Sequence, residues 1–146
     1  SGLHSVLTGR ENITMYGTLL GMSRAEIREK FDEIVSFAEV EEFIDVPMKF
    51  YSSGMSARLA FSVASHVDAD ILLLDEISAV GDHDFQRRSH DRIKQMVGRG
   101  KTVFMVTHNT AGLCELCDRA IVLDRGRVVL DGAIEPVMAT YLSGAS

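Results

Sequence analysis

From Thr8 onward the polar and apolar positions follow a helical period. "TGRE" (Thr8–Glu11) and "SRAE" (Ser23–Glu26) each set a hydroxyl three residues before a glutamate. In this capping-box spacing the hydroxyl and the carboxylate satisfy each other's backbone N–H groups. After Ser23 the apolar positions are Ile27, Phe31, Ile34, Val35 and Ala38, one face of a 3.6-residue helix. Helices are predicted over roughly 9–21 and 24–38. Pro47 interrupts the pattern, and a third helix is predicted from about Met55 to His66.

The period then shortens. "ILLL" (Ile71–Leu74) and "VFMV" (Val103–Val106) are brief, wholly apolar runs, the pattern of strands covered on both faces. A helix from about Asp84 to Val97 separates them, and "GLCELC" reads as a short helix. "RAIVLDRGRVVLDG" reads as a hairpin turning at Asp124-Arg125-Gly126, and "AIEPVMATYL" as a terminal helix. Strand–helix–strand order implies a parallel, helix-covered sheet. The expected organisation is an all-helical segment, 1–66, then part of an α/β core, 67–132, then a C-terminal helix, 133–146.

Composition narrows the classes. The 146 residues suffice for one domain with a real core, and 46% apolar with 25% charged residues fits a globular chain. No apolar run approaches the roughly 18 residues of a membrane span, so membrane association is expected to run through a protein partner. A formal net charge of −6 argues against a general nucleic-acid binder. Residues 1–20 lack a signal-peptide pattern. Cys114 and Cys117 form a lone C-x-x-C without a second ligand pair, which reads as two ordinary helix cysteines.

Three places could do chemistry. "YSSGMSARLAFSVASH" (Tyr51–His66) puts Ser52, Ser53 and Gly54 at a helix start, where free N–H groups and hydroxyls favour an anion. Both apolar strands end in ionisable residues at their carboxyl edge, where open parallel sheets bind ligands: Asp75-Glu76 after one, Thr107-His108 after the other. Asp75 suits Mg²⁺ held through water, Glu76 suits polarising an attacking water, and His108 suits contact with a phosphate.

"YSSGM…RLAFSVA", "ILLLDE", "SAVGD" and "VTHN" together resemble the signature, Walker B, D-loop and H-loop motifs of the ATP-binding-cassette ATPases, in that order and at similar spacing. The resemblance covers essentially the whole chain. It implies a partial P-loop NTPase core, with the anion at Ser52–Gly54 being the γ-phosphate of ATP bound on the opposite subunit of a homodimer. Asp75 would then be the magnesium-associated aspartate, Glu76 the catalytic base and His108 a γ-phosphate contact. Asp82 would connect the two active sites across the dimer. Where the family's signature reads LSGGQ, this chain reads Tyr51-Ser52-Ser53-Gly54-Met55. "LTGREN" and "AVGD…FQ" further resemble the ATPase subunits of teichoic-acid, O-antigen and capsular-polysaccharide exporters. This implies a peripheral protein on the cytoplasmic face of the membrane, docked to a permease through residues 9–50.

The family's phosphate-binding loop is not found. "GRGKT" (Gly98–Thr102) mimics its end, but Gln95 stands where the first glycine belongs, and this stretch leaves a helix and enters a strand. The resemblance places the phosphate loop and the Q-loop upstream of Ser1. A helix terminus contributes at most ~2 kcal/mol toward an anion, whereas millimolar binding needs about 4 kcal/mol. Alone, this stretch is therefore expected to bind ATP weakly, to hydrolyse none, and to self-associate through exposed apolar surface. The competing readings are a binding or regulatory fragment without turnover and a non-transport cassette ATPase.

Overall fold

The Thr8 hydroxyl accepts the Glu11 N–H at 3.2 Å while the Glu11 carboxylate accepts the Thr8 N–H at 2.8 Å, and the chain enters α1 (Gly9–Leu19). Ser23 and Glu26 repeat the exchange at 3.2 and 2.8 Å to start α2 (Arg24–Ala38). The first helix stops short of the expected residue 21 because Gly21, at φ 94°, turns the chain away. In this computed structural model residues 2–75, 81–108, 110 and 113–144 are described.

Two single-turn 3₁₀ segments, Glu41–Phe43 and Met48–Phe50, lead into α3 (Ser53–Ser65). That helix begins two residues before the predicted Met55, since Ser52 is its cap. The three helices pack on one another around Ile13, Ile34, Val40, Leu59 and Val63, all fully buried. The buried Asn12 fastens the preceding segment to α1. Its Oδ1 accepts the His4 N–H at 2.6 Å, and its amide donates to the carbonyls of His4, Leu7 and Thr8 at 3.0, 3.2 and 2.9 Å. With every hydrogen bond made, this polar side chain carries no desolvation debt.

Gly9 shows how tight the entry to α1 is. A Cβ there would collide with the Tyr51 hydroxyl and lie 3.1 Å from the Ile44 carbonyl oxygen. Gly9→Ala should destabilise the fold by about 1–3 kcal/mol, read as a lower denaturant midpoint at unchanged slope.

His66 caps the end of α3 and is buried beside Phe37, with ring centroids 6.0 Å apart. Its Nδ1 lies 2.7 Å from the Ser62 carbonyl oxygen, and its Nε2 lies 3.9 Å from Glu33. Lys30 donates to the His66 carbonyl at 2.9 Å, and Arg92 donates to that of Ser65 at 3.1 and 3.2 Å. Burial foremost, with the Arg92 and Lys30 charges, pushes the imidazole below its usual 6.5 against the opposing pull of Ser62 and Glu33. The unfolded chain thus takes up the His66 proton at a higher pH than the folded one. Stability from this group is complete above about pH 6.5 and is lost as pH falls below it. Melting temperature should decline from about pH 7.5 toward pH 5.5, and His66→Gln should flatten that decline; equal slopes would contradict the assignment.

By its contacts the chain divides into two compact units. The first runs to Asp70 and takes in α4 (His83–Gly98) as far as Arg92; the second begins with β1 (Ile71–Asp75) and includes the chain from Ile93 onward. In the first, Phe85 of α4 is fully buried against Phe37 and Phe61, with ring centroids 5.5 and 5.8 Å away.

In the second unit β1 pairs in parallel with β2 (Thr102–Val106), in register from Ile71↔Thr102 to Asp75↔Val106. A single-turn helix, α5 (Leu113–Leu116), precedes the antiparallel pair β3 (Arg119–Asp124) and β4 (Arg127–Ala133). Arg125 at φ 46° and Gly126 at φ 77° make its turn, where the left-handed backbone favours glycine. Helix α6 (Ile134–Leu142) packs on both strands through Val137 and Met138.

One expectation fails. The runs in β1 and β2 read as covered on both faces, yet Ile71, Leu73, Phe104 and Val106 are more than half exposed while Leu74 is buried. Among the described residues one face of this pair is covered and the other is an open apolar surface. The apolar pattern reports the environment a strand is built for, and a two-stranded sheet with material on one side supplies half of it.

Candidate functional site

The signature-like stretch is organised by Ser52. Its hydroxyl accepts the Met55 N–H at 3.1 Å and its carbonyl accepts the Ser56 N–H at 3.0 Å, so the serine closes the first turn of α3. The N–H groups of Ser53 and Gly54 precede the first intrahelical hydrogen bonds and remain open to an incoming group. A Cβ added at Gly54 would meet only the Ser52 Oγ, at 3.8 Å. Nothing inside the described chain requires glycine there. Its absence of a side chain keeps the backbone bare on a surface where Ser52 and Ser53 are exposed.

The departures from LSGGQ acquire physical reasons. Tyr51, buried, donates its hydroxyl to the Phe43 carbonyl at 2.6 Å, and burial, with the nearby Asp45 charge, pushes that hydroxyl's pKa up. Met55 turns inward and packs against the helical core. Arg58, one turn further along, donates from Nε to the Ala38 carbonyl at 3.0 Å and ties α3 to the end of α2.

Asp82 lies at the start of α4. Its Oδ1 accepts the Phe85 N–H at 2.9 Å and its carbonyl accepts the Gln86 N–H at 2.9 Å, which makes it the helix cap. That backbone hydrogen bond foremost, then the charges of Arg58 and Arg88, hold its carboxyl below the usual carboxylate range. Gly81 before it sits at φ 78°, and a Cβ there would lie 2.9 Å from the Phe85 ring. "GD" therefore builds the turn into α4, whatever else Asp82 does.

In the second unit the parallel register brings Asp75 opposite Val106, two residues before His108. Asp75 and His108 thus leave the same carboxyl edge of the β1–β2 pair, and both are exposed. Glu76, Ile77 and residues 78–80 of "SAVGD" lie outside the described residues. No group of three or more His, Cys, Asp or Glu side chains gathers as a metal cage among the described residues. Mg²⁺ needs no such cage when phosphates and water complete its shell, and one exposed carboxylate at a strand edge fits that requirement. Cys114 and Cys117 are free thiols; burial foremost pushes Cys117 above its ordinary value, the reverse of a reactive thiolate.

Sequence reasoning did not single out Tyr51, Arg58 or the arginines of α1 and α2. The first two act through backbone carbonyls distant in sequence, which leave no periodic signal. Arg24 and Arg28, four residues apart, were visible as a like-charge pair on one helix face.

No family model matches the chain. Among curated proteins, an ABC transporter protein (AbcA) of Aeromonas salmonicida is 48% identical over 97% of this chain and 46% of its own length. The O-antigen export system ATP-binding protein RfbB of Myxococcus xanthus is 47% identical over 100% of the chain and 33% of its own. The teichoic acids export ATP-binding protein TagH of Lactococcus lactis is 40% identical over 97% and 30% respectively. The chain thus spans half or less of the length of these three relatives. The solved structure of an ABC transporter's ATP-binding subunit superposes over 95% of the chain at TM-score 0.83 and 20% identity, covering 58% of its own. A dimeric ATP-binding cassette bound to ADP and Pi superposes over 91% at TM-score 0.74 and 26% identity, covering 59% of its own. Similar from end to end to ATP-binding proteins of exporters, and carrying the fold of a cassette core, the chain belongs to the ATP-binding-cassette ATPases.

Proposed function

We propose that a protein carrying this chain hydrolyses ATP and couples the reaction to export of a polysaccharide, teichoic acid or O-antigen through a membrane permease. What carries the reading is the start of α3: a serine cap, two free N–H groups and a glycine whose bareness serves nothing internal. The relatives named for O-antigen and teichoic acid export support the substrate class.

In this reading two copies pair so that Ser52, Ser53 and Gly54 of one face the γ-phosphate of ATP on the other. The hydroxyls and N–H groups donate to the phosphate oxygens in a geometry fixed before the nucleotide arrives. Magnesium, when bound, neutralises phosphate charge, and Asp75 would hold it, through water, at the strand edge. Glu76 accepts the proton of the attacking water, and His108 donates to the γ-phosphate from the neighbouring strand. Asp82, already capping α4, links one site to the other. The protein would sit at the cytoplasmic face of the membrane, held there by the permease; no described helix is long and apolar enough to cross the bilayer.

The test is reconstitution of the full-length protein with the membrane subunit encoded beside it. ATP turnover should accompany export of the surface glycan, and both should stop together when the nucleotide is withheld. Turnover with unaltered glycan export in a strain lacking the gene would overturn the export reading.

A further inference from the structure

Glu39 ends α2 in the left-handed region, at φ 55°. Glycine takes that conformation at no steric cost, and glutamate does not. A charged side chain is thus kept where the backbone alone favours its loss, and its carboxylate meets Arg88 of α4 at 2.5 Å. Arg88 also reaches the Phe37 carbonyl at 3.5 Å, and its guanidinium lies 5.6 and 5.5 Å from the ring centroids of Phe37 and Phe85. One cation therefore meets a carboxylate, a helix-end carbonyl and two aromatic rings, all of which attract positive charge.

Long side chains, more than close backbone approach, join α4 to α2 and α3 within the first unit. Arg58 of α3 holds the Ala38 carbonyl, between the two residues that Arg88 contacts. The end of α2 is thus where α3 and α4 are both tied, by one arginine from each. The charges of Arg58 and Arg88 also act on the Asp82 carboxylate, which caps α4 six residues before Arg88. The Glu39–Arg88 pair so bears on where the turn at Gly81-Asp82 stands relative to α3, whose first turn presents Ser52, Ser53 and Gly54.

We propose that Arg88, latched to Glu39, is a positioning residue that sets Asp82 for coupling the two ATP sites of a dimer, an inference that rests on the hydrolysis and pairing proposed above. Neither residue touches the nucleotide in that arrangement. Their loss acts on how one site answers the other, while each site keeps its own residues.

The experiment measures ATP turnover by the purified full-length protein across ATP concentrations, beside melting temperature. The unaltered protein should give a Hill coefficient clearly above 1, as two coupled sites do. Arg88→Gln and Glu39→Gly should each bring it to about 1 and lower kcat by about tenfold or more, the scale of a small misplacement. The double variant should be no worse than either single one, because both break the same link. Glu39→Gly should keep its melting temperature, since glycine accepts φ 55° freely, and it decides the matter should Arg88→Gln fail to fold. Arg88→Lys, which keeps the cation, should retain the cooperativity, and so should Arg87→Gln, whose exposed side chain lies beside Asp84. Unchanged Hill coefficients in the two single variants, or effects that add in the double variant, would overturn the inference and leave hydrolysis standing. Turnover without cooperativity in the unaltered protein would do the same. Absence of any turnover in the unaltered full-length protein would remove the hydrolysis reading with it.

Discussion

Glu76→Gln in the full-length protein should cut ATP turnover by about 10²–10⁴-fold while nucleotide stays bound, because general-base catalysis contributes that much and the amide cannot accept the proton. The change keeps the shape of the side chain and removes its charge. Single-turnover assays with radiolabelled ATP should show uncleaved nucleotide retained on the protein, and dimers should accumulate in MgATP because the closed state can no longer discharge. Turnover within a factor of a few of the unaltered protein would remove Glu76 from the role of base and leave Asp75 and His108, on the strand edge the register defines, to be reassigned.

Gly54→Asp should separate folding from function in the opposite way to an ordinary core mutation. A Cβ at Gly54 meets one atom, 3.8 Å away, so the aspartate fits without displacing the chain. An acidic side chain in the first turn of α3 also favours the helix through its dipole, and a glycine is lost from a helical position. Melting temperature should hold or rise. Turnover should nonetheless fall by about 10²–10³-fold, an effect of the size of removing one preorganised donor, since under the proposed function the new carboxylate repels the γ-phosphate that the Gly54 N–H would meet. Titration with a non-hydrolysable ATP analogue should show weakened dimer formation. A variant that unfolds would contradict the geometry at Gly54, and one that folds and turns over normally would contradict the function assigned to it.

Much of the fold is legible because its determinants are local. The two capping boxes sit within four residues each, and both start their helices as read. The strands announce themselves through apolar runs, and the turn at Arg125-Gly126 through its glycine. What escaped is long-range. Tyr51 works through Phe43, Arg58 through Ala38 and Ser62 through the Ile34 carbonyl at 2.6 Å, each with a partner that pattern alone cannot supply. Asp82 shows a further limit: a residue named by its motif turns out to cap a helix, a structural role that the motif does not announce. The apolar runs by themselves misread β1 and β2 as covered on both faces, because such a run encodes only what a strand tolerates on each side; the expectation of exposed apolar surface comes instead from the family resemblance, and Ile71, Leu73, Phe104 and Val106 bear it out.

The clasp around Tyr51 has a mechanical consequence. The segment before α3 is stitched to the start of α1 by the Met48 N–H on the Leu7 carbonyl, the Lys49 N–H on the Ser5 carbonyl, Arg10 on Asp45 and the close fit of Gly9 against the Tyr51 hydroxyl. Ser52 follows immediately. These links leave the connection little slack, so under the proposed function a shift of α1 should be felt at the serine and glycine that would meet the nucleotide, with few free bonds between them to take it up.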